Sequence, residues 1–130
     1  MVAFFGAQVT LLGSGLAVEV PIRTVTVTMD RGLLQVFLEH LRAVADRNAF
    51  AIRIGQSSPD PDDALVQMWR EDLKVIGFNS LESTEETIEF FVGVYNNSDT
   101  PVPMEASDKL VQEIGSAVDG TPGASVKQME

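Results

Sequence analysis

Only a few residues in this sequence have side chains suited to acid–base chemistry, and His40 is the first of them. It is the single histidine of the chain, and histidine titrates near neutral pH without a perturbed environment. A Ser-His-Asp arrangement would also need a nucleophile on a sharp strand-to-helix turn, and the sequence has no Gly-x-Ser-x-Gly motif. His40 lies at the margin of the apolar stripe of a predicted helix, so a structural partner fits the pattern better than catalysis.

Carboxylates are the second candidates, and Glu89 is the one predicted to lie on an apolar sheet face, beside Phe91. A carboxylate there would act as an acid or base only if it were buried and unpaired. Pairing with Lys74 or Arg53 across neighbouring strands is the simpler expectation. A small hydrolase or isomerase that uses Glu89 or His40 is therefore an alternative hypothesis, and no catalytic residue is predicted.

The acidic loop Asp60-Pro61-Asp62-Asp63 raises the question of a calcium site, because clustered carboxylates suit a hard cation. Glu71 follows at the spacing of an EF-hand loop, yet Ala64 and Leu65 stand where that loop needs a ligand and a glycine. The absence of cysteine and the single histidine exclude cysteine zinc sites and multi-histidine sites within one chain. No phosphate-binding glycine motif follows a predicted strand. The sequence predicts neither a metal nor a cofactor.

Acidity is the main charge feature of the chain, whose 130 residues carry a net charge of −10. Residues 1–55 hold five basic and four acidic side chains, whereas residues 56–130 hold four basic and fifteen acidic ones. Binding to nucleic acid or to an anionic membrane needs clustered Lys and Arg, which the sequence lacks, so neither partner is predicted. An acidic inhibitor or immunity-type protein that binds a cationic partner is the alternative that this charge favours.

The N-terminal segment is uncharged over residues 1–18 and rich in large apolar side chains. Two runs of strand character, 8–12 and 16–20, flank Gly13-Ser14-Gly15, so residues 1–20 are predicted to form an apolar hairpin or a dimerisation segment. A signal peptide over residues 1–17 is the other interpretation and would mean export. No Lys or Arg precedes the apolar run, so a cytoplasmic location is slightly favoured.

Alternating and helical patterns predict a single α+β domain over residues 1–120 with the order β-β-β-α-β-β-β-β-α. The third strand is centred on 24–28, and a helix from Arg31 to about Arg47 follows with Asp30 as its N-cap. A four-strand antiparallel meander at 49–55, 64–70, 73–80 and 87–95 joins the N-terminal strands in one sheet. A closing helix covers 104–118, both helices pack on the sheet, and residues 121–130 are predicted to be a flexible tail.

The meander is apolar on both faces, whereas an antiparallel sheet usually leaves one face polar. The first helix is the natural cover of one face, which carries Phe50, Ile52, Ile54, Val66, Met68, Leu73, Val75, Ile88, Phe90, Val92 and Val94. The opposite face carries large side chains with polar ones among them, namely Trp69, Ile76, Phe78, Phe91, Tyr95, Arg53, Gln67 and Lys74.

The aromatic positions supply the candidate ligand or interface site, which consists of Trp69, Phe78, Phe91, Tyr95, Arg53, Arg70 and Asn79. Trp, Tyr and Arg dominate the binding energy of protein interfaces, and aromatic walls also line small-molecule pockets. The N-terminal segment, a second copy of the chain or a small apolar ligand would each cover such a face. The preferred hypothesis is a non-enzymatic binding domain, homodimeric, that uses this face. No family is identified by these residues.

Overall fold

The computed structural model describes residues 20–56, 63–80, 83–84, 86–98 and 103–130. The regular elements in chain order are β1 (Arg23–Asp30), α1 (Leu34–Arg47), β2 (Ala51–Gln56), β3 (Ala64–Trp69), β4 (Leu73–Asn79), β5 (Thr87–Asn96), α2 (Met104–Asp119) and β6 (Ser125–Met129). A single turn of 3-10 helix, Arg31–Leu33, joins β1 to α1.

The described strands form one sheet of six in the order β2-β3-β4-β5-β1-β6. Each neighbouring pair is antiparallel. Strands β2 to β5 follow one another as a meander, as their alternating pattern predicts. Strand β1 lies beyond β5, so α1 carries the chain across the sheet to the opposite edge at β2, and α2 connects β5 to β6. The predicted α+β architecture, an antiparallel sheet packed by two helices, is confirmed.

Both helices contribute to one hydrophobic core on a single face of the sheet, which we name the helix-covered face. The ring of Phe37 on α1 meets the ring of Phe90 on β5 edge-on, with centroids 5.8 Å apart and an interplanar angle of 73°. Gly77 on β4 gives Phe90 its space, because a Cβ at that position would lie 2.7 Å from Phe90 Cε2. The buried strand side chains of the core are Val25, Val27, Met29, Ala64, Val66, Met68, Leu73, Val75, Ile88, Phe90, Val92 and Val94.

The N-terminus of α1 differs from the predicted one. The sequence predicts a helix that begins at Arg31 and is capped by Asp30, whereas β1 continues through Asp30, which pairs with Thr87. The N–H of Arg31 donates to Glu86 O at 2.9 Å, so sheet pairing satisfies this amide. The carboxylate of Asp30 makes no capping hydrogen bond, and α1 begins only after the 3-10 turn, at Leu34. Asp30 therefore extends β1 and does not cap the helix.

The C-terminal residues also differ from the prediction. Residues 121–130 are predicted to be a flexible tail, but Ser125–Met129 form β6, which pairs with β1. Every side chain of β6 is exposed, so backbone pairing rather than apolar burial holds the strand, and no alternation marks it in the sequence. The two predicted N-terminal strands, and residues 1–19 as a whole, lie outside the described residues.

Candidate interaction surface

The face of the sheet opposite the helices carries a cluster of large apolar side chains on β3, β4 and β5. The strand register aligns Leu65 with Phe78 and Phe78 with Phe91, so these three residues form a row across the sheet. The neighbouring row places Ile76 beside Gly93. We name this surface the aromatic face, formed by Leu65, Trp69, Ile76, Phe78, Phe91 and Tyr95. The structure therefore brings together four of the predicted site residues, Trp69, Phe78, Phe91 and Tyr95.

Solvent reaches the aromatic face. Trp69 is 43% exposed and Phe78 39% exposed, and the other members of the cluster are half-buried. Both described helices pack on the helix-covered face, so neither of them shields these rings. Single exposed apolar side chains are ordinary on a protein surface, whereas large contiguous apolar patches are uncommon on monomeric soluble proteins.

The rings of the aromatic face pack closely over the backbone. Phe78 and Phe91 lie with their centroids 5.3 Å apart at an interplanar angle of 42°. A Cβ at Gly93 would lie 2.9 Å from Tyr95 Oη and 3.2 Å from Phe91 Cε2, so these two rings close over the glycine from either side. The lack of a side chain at Gly93 thus lets Tyr95 and Phe91 lie flat along the strand. The result is a low, continuous apolar surface.

Polar side chains border the aromatic face. Arg53 and Gln67 pair across β2 and β3 at one side, and the threonines of β1 lie at the other, where Thr26 pairs with Phe91. At one end of the cluster Lys74 lies beside Tyr95. At the other end are the four polar and charged side chains Ser80, Thr28, Glu89 and Lys127. An apolar centre with a polar rim is the usual anatomy of a protein interface.

The partner of Glu89 differs from the predicted one. Pairing with Lys74 or Arg53 is expected from the meander alone, whereas Lys127 Nζ donates to Glu89 Oε2 at 2.6 Å. Strand β6 lies beside β1, and Lys127 lies at the register shift between the pairs Thr26–Gln128 and Val27–Val126, from which its side chain reaches Glu89 on β5. The prediction of a flexible tail at residues 121–130 excludes this partner, which depends on the pairing of β6 with β1.

Two predicted site residues lie away from the aromatic face. Arg70 follows β3 and turns toward the helix side, where its guanidinium lies 4.4 Å from the ring centroid of Phe50 and its Nη1 donates to Asn48 O at 2.7 Å. Asn79 pairs with Phe90 of the core, and its Oδ1 accepts a hydrogen bond from Ala64 N–H at 3.0 Å. Strand alternation separates both residues from Trp69 and Phe78, which are their immediate neighbours in sequence.

Arg70 instead fixes the turn between β3 and β4. Its Nε donates to Asp72 Oδ1 at 2.6 Å and its Nη2 to Asp72 Oδ2 at 3.3 Å. These hydrogen bonds from the guanidinium hold the pKa of the Asp72 carboxyl below its usual value. Asn97 completes the network, since its Nδ2 donates to Arg70 O at 2.7 Å. The role of Arg70 in the described structure is to hold the turn together.

His40 also has a structural environment. Its Nδ1 lies 3.2 Å from both Ala117 O and Thr121 Oγ1. Thr121 Oγ1 also donates to Ala117 O at 2.9 Å, so the imidazole, the hydroxyl and the carbonyl form one local cluster of polar contacts. Thr121 is fully buried, and these contacts join the middle of α1 to the end of α2. The geometry agrees with the expectation of a histidine with a structural partner.

Within the described ranges no group of three His, Asp or Glu side chains is placed to hold a metal ion. The acidic loop at residues 60–62 lies outside those ranges. No helix in the part of the chain that the structure describes is long and apolar enough to cross a membrane. No protein-family model matches the sequence, and no curated protein matches it. The aromatic face is therefore the feature of the described residues that bears on function.

Proposed function

We propose that this protein is a non-enzymatic interaction domain that forms a homodimer through its aromatic face. The observation that supports the proposal is the cluster of exposed and half-buried aromatic rings on the face of the sheet opposite both described helices. Burial of such rings is the main source of binding energy in protein interfaces, where Trp and Tyr are enriched. Sheet-on-sheet packing, at about 10 Å between sheets, is the ordinary way to bury an apolar sheet face.

The dimensions of the face suit this kind of contact. Strands about 4.8 Å apart and residues about 3.4 Å apart give the five strands from β2 to β1 a footprint on the order of 500 Å². Large side chains stand out from the sheet, so the solvent-accessible area of the face is greater than its projected footprint. A standard interface buries about 800 Å² on each partner, so the aromatic face and its rim are of the required order of size.

The distribution of charge supports a second copy as the partner. The chain carries a net charge of −10, so two copies repel each other at most of their surface. Around the aromatic cluster lie Arg53, Lys74 and the Glu89–Lys127 pair, so this face does not share the acidity of the whole chain. Two copies that meet through the aromatic face keep both described helices on the outside, including α2, which has four acidic side chains and one basic one.

Sedimentation velocity over a wide concentration range, combined with tryptophan fluorescence, tests the proposal. Trp69 is the only tryptophan of the chain and lies on the aromatic face, so its emission reports directly on that surface. We expect a dimer at high concentration. On dilution, the emission of Trp69 should shift to longer wavelength and its quenching by acrylamide should increase, because the ring is then exposed to water.

Two matched substitutions localise the contact. Phe78 is 39% exposed on the aromatic face, and Val36 is 43% exposed on α1, which packs on the opposite face. Phe78→Lys should convert the protein to a monomer, because it places a charge in the apolar centre, whereas Val36→Lys should leave the dimer intact. Circular dichroism checks that both variants are folded. A wild-type chain that stays monomeric at all concentrations, or a Val36→Lys variant that dissociates as fully as Phe78→Lys, contradicts the proposal.

A further inference from the structure

We infer that residues 1–19 of each copy, which we name the N-terminal segment, pack against the second copy and extend the apolar contact between the two aromatic faces. This inference rests on the proposed homodimer and adds a second part to its interface. The segment lies outside the described residues. Its place follows from the size of the aromatic face, from the position of Val20 and from its own composition.

The apolar centre of the aromatic face is small for a dimer interface. Its large side chains lie on three strands, β3 to β5, and along β3 they extend from Leu65 to Trp69. At about 4.8 Å between strands and about 3.4 Å between residues, this centre measures roughly 250 Å². A standard interface buries about 800 Å² on each partner. Further apolar contact beside the centre would bring the interface to the usual size.

Val20 is the described residue that indicates where such a contact begins. In the described part of the chain, the large apolar side chains that remain exposed outside the aromatic face are Val20, Val36, Met104, Val126 and Met129. Val36 and Met104 lie on the helices, and Val126 and Met129 pair with core residues of β1, on the helix-covered face. Val20 is 78% exposed and directly follows the N-terminal segment.

The N-terminal segment joins the sheet at the Tyr95 end of the aromatic face. The N–H of Ile22 donates to Val94 O at 2.7 Å, and Arg23 pairs with the same residue of β5. On the helix side of this end, Arg23 forms an ion pair with Asp108 of α2, whereas the other side of β1 carries uncharged threonines. An apolar segment that enters here is therefore better accommodated on the side of the aromatic face.

The composition of the N-terminal segment suits burial between two copies. It is uncharged over residues 1–18, whereas residues 56–130 carry fifteen acidic side chains, so it can approach a second copy without the repulsion that the acidic half brings. Its large apolar side chains include Phe4, Phe5, Leu11, Leu12 and Leu16. At about 3.4 Å per residue, nineteen extended residues reach roughly 65 Å, which exceeds both the distance of about 10 Å between packed sheets and the length of the face.

The second copy is the apolar surface that the proposed homodimer leaves for this segment. Each aromatic face is then occupied by its counterpart, so the segment cannot also cover the face of its own chain. From Val20, at the border of one sheet, it passes to the border of the opposing sheet, about 10 Å away. Twofold symmetry makes the contact occur twice, once from each copy. The segment thus adds area to the interface without a change in the packed sheets.

Two substitutions in the full chain test the contribution of the segment to the dimer. Leu11→Lys replaces an apolar side chain by a charged one, and Ser14→Lys adds the same charge between Gly13 and Gly15, where no apolar side chain is lost. Both variants change the net charge equally, so a difference between them reports on apolar packing.

Sedimentation velocity measures the dimer Kd of both variants, and circular dichroism checks that they are folded. Leu11→Lys should raise the Kd by about tenfold, which is typical of the loss of one buried interface side chain, and Ser14→Lys should change it by less than about threefold. Equal effects of the two substitutions, or wild-type affinity in the Leu11→Lys variant, overturn the contribution of the segment while the proposed homodimer stands.

Photochemical cross-linking identifies the chain that the segment contacts. The protein has no cysteine, so a Leu11→Cys variant carries a single thiol, to which benzophenone maleimide is attached. This variant is mixed with an excess of isotopically heavy wild-type chain at a concentration where sedimentation shows the dimer. After irradiation, mass spectrometry identifies the joined peptides.

The expected products join residue 11 to heavy peptides from β1 or from β3 to β5. Products confined to the light chain, or spread evenly over heavy peptides of α1 and α2 as well, overturn the inference while the proposed homodimer stands. A wild-type chain that is monomeric by sedimentation at every concentration overturns both proposals, so the two failures are distinguishable.

Discussion

Replacement of Gly77 by alanine tests the close approach between β4 and the core ring of Phe90. A Cβ at position 77 would lie 2.7 Å from Phe90 Cε2 and 3.2 Å from Phe90 Cζ, which is well inside normal contact distance. The ring has no free direction in which to move, because it is fully buried and lies edge-on to Phe37. The added methyl group must therefore displace the strand or the ring.

The size of the effect follows from opposing contributions. Overpacking of a well-packed core costs about 1–3 kcal/mol. Replacement of Gly by Ala also reduces the conformational freedom of the unfolded chain, which raises the free energy of unfolding by about 0.4–1 kcal/mol. The expected net loss is about 1 kcal/mol for Gly77→Ala, which corresponds to a decrease of about 4 °C in Tm for a domain of this size.

Gly93→Ala is the matched control, because it lies on the neighbouring strand but faces solvent-accessible rings. A Cβ there would meet Tyr95 Oη at 2.9 Å and Phe91 Cε2 at 3.2 Å, and both rings are half-buried side chains that can move outward. The change in the free energy of unfolding should stay within about 0.5 kcal/mol. Urea denaturation followed by circular dichroism, at a concentration where the protein is monomeric, measures both. A Gly77→Ala variant as stable as the wild type, or a Gly93→Ala variant that is the more destabilised of the two, would contradict this expectation.

Two further substitutions test the polar contacts. Thr121→Val removes a buried hydroxyl that bonds to Ala117 O and His40, so the free energy of unfolding measured in urea should fall by about 1 kcal/mol; an unchanged value would argue against the contact. Arg70 lowers the pKa of Asp72, so this contribution to stability is present above the unfolded carboxyl pKa of about 3.9 and is lost as pH falls through the lower folded value. Because the Asp72 side chain is 36% exposed, the stability difference between wild type and Arg70→Gln should shrink by only about 0.5 kcal/mol from neutral pH to pH 2. A difference that grows in acid would contradict the assignment.

The sequence was sufficient to predict the meander and both of its faces. Apolar pairs such as Met68-Trp69 and Phe90-Phe91 place one large side chain on each side of a strand. This alternation is a property of each strand alone and does not depend on contacts with other parts of the chain. The buried Met68 and Phe90, and the more exposed Trp69 and Phe91, follow that alternation in the structure. The aromatic face could therefore be identified without coordinates.

Other parts of the site depended on strand boundaries and on distant segments. Arg70 and Asn79 are predicted site residues because they are close in sequence to Trp69 and Phe78, although the period of two places them on the other side of the sheet. The partner of Glu89 depended on β6, whose exposed side chains give no periodic signal. The predicted site does not include Leu65, although strand alternation with Gln67 and Trp69 places it on the same side of β3.

The position of β1 in the sheet has a consequence for the order of folding. Arg23 pairs with Val94 and Val25 pairs with Met129, so the first described strand finds its neighbours only in the last parts of the chain. Strands β2 to β5 pair with their neighbours in sequence and can form early, whereas β1 must wait through the synthesis of almost the whole domain. The long loop closure slows the pairing of β1 with β5 and β6. During synthesis, the apolar side chains of β1 and α1 are therefore exposed before the rest of the core has formed.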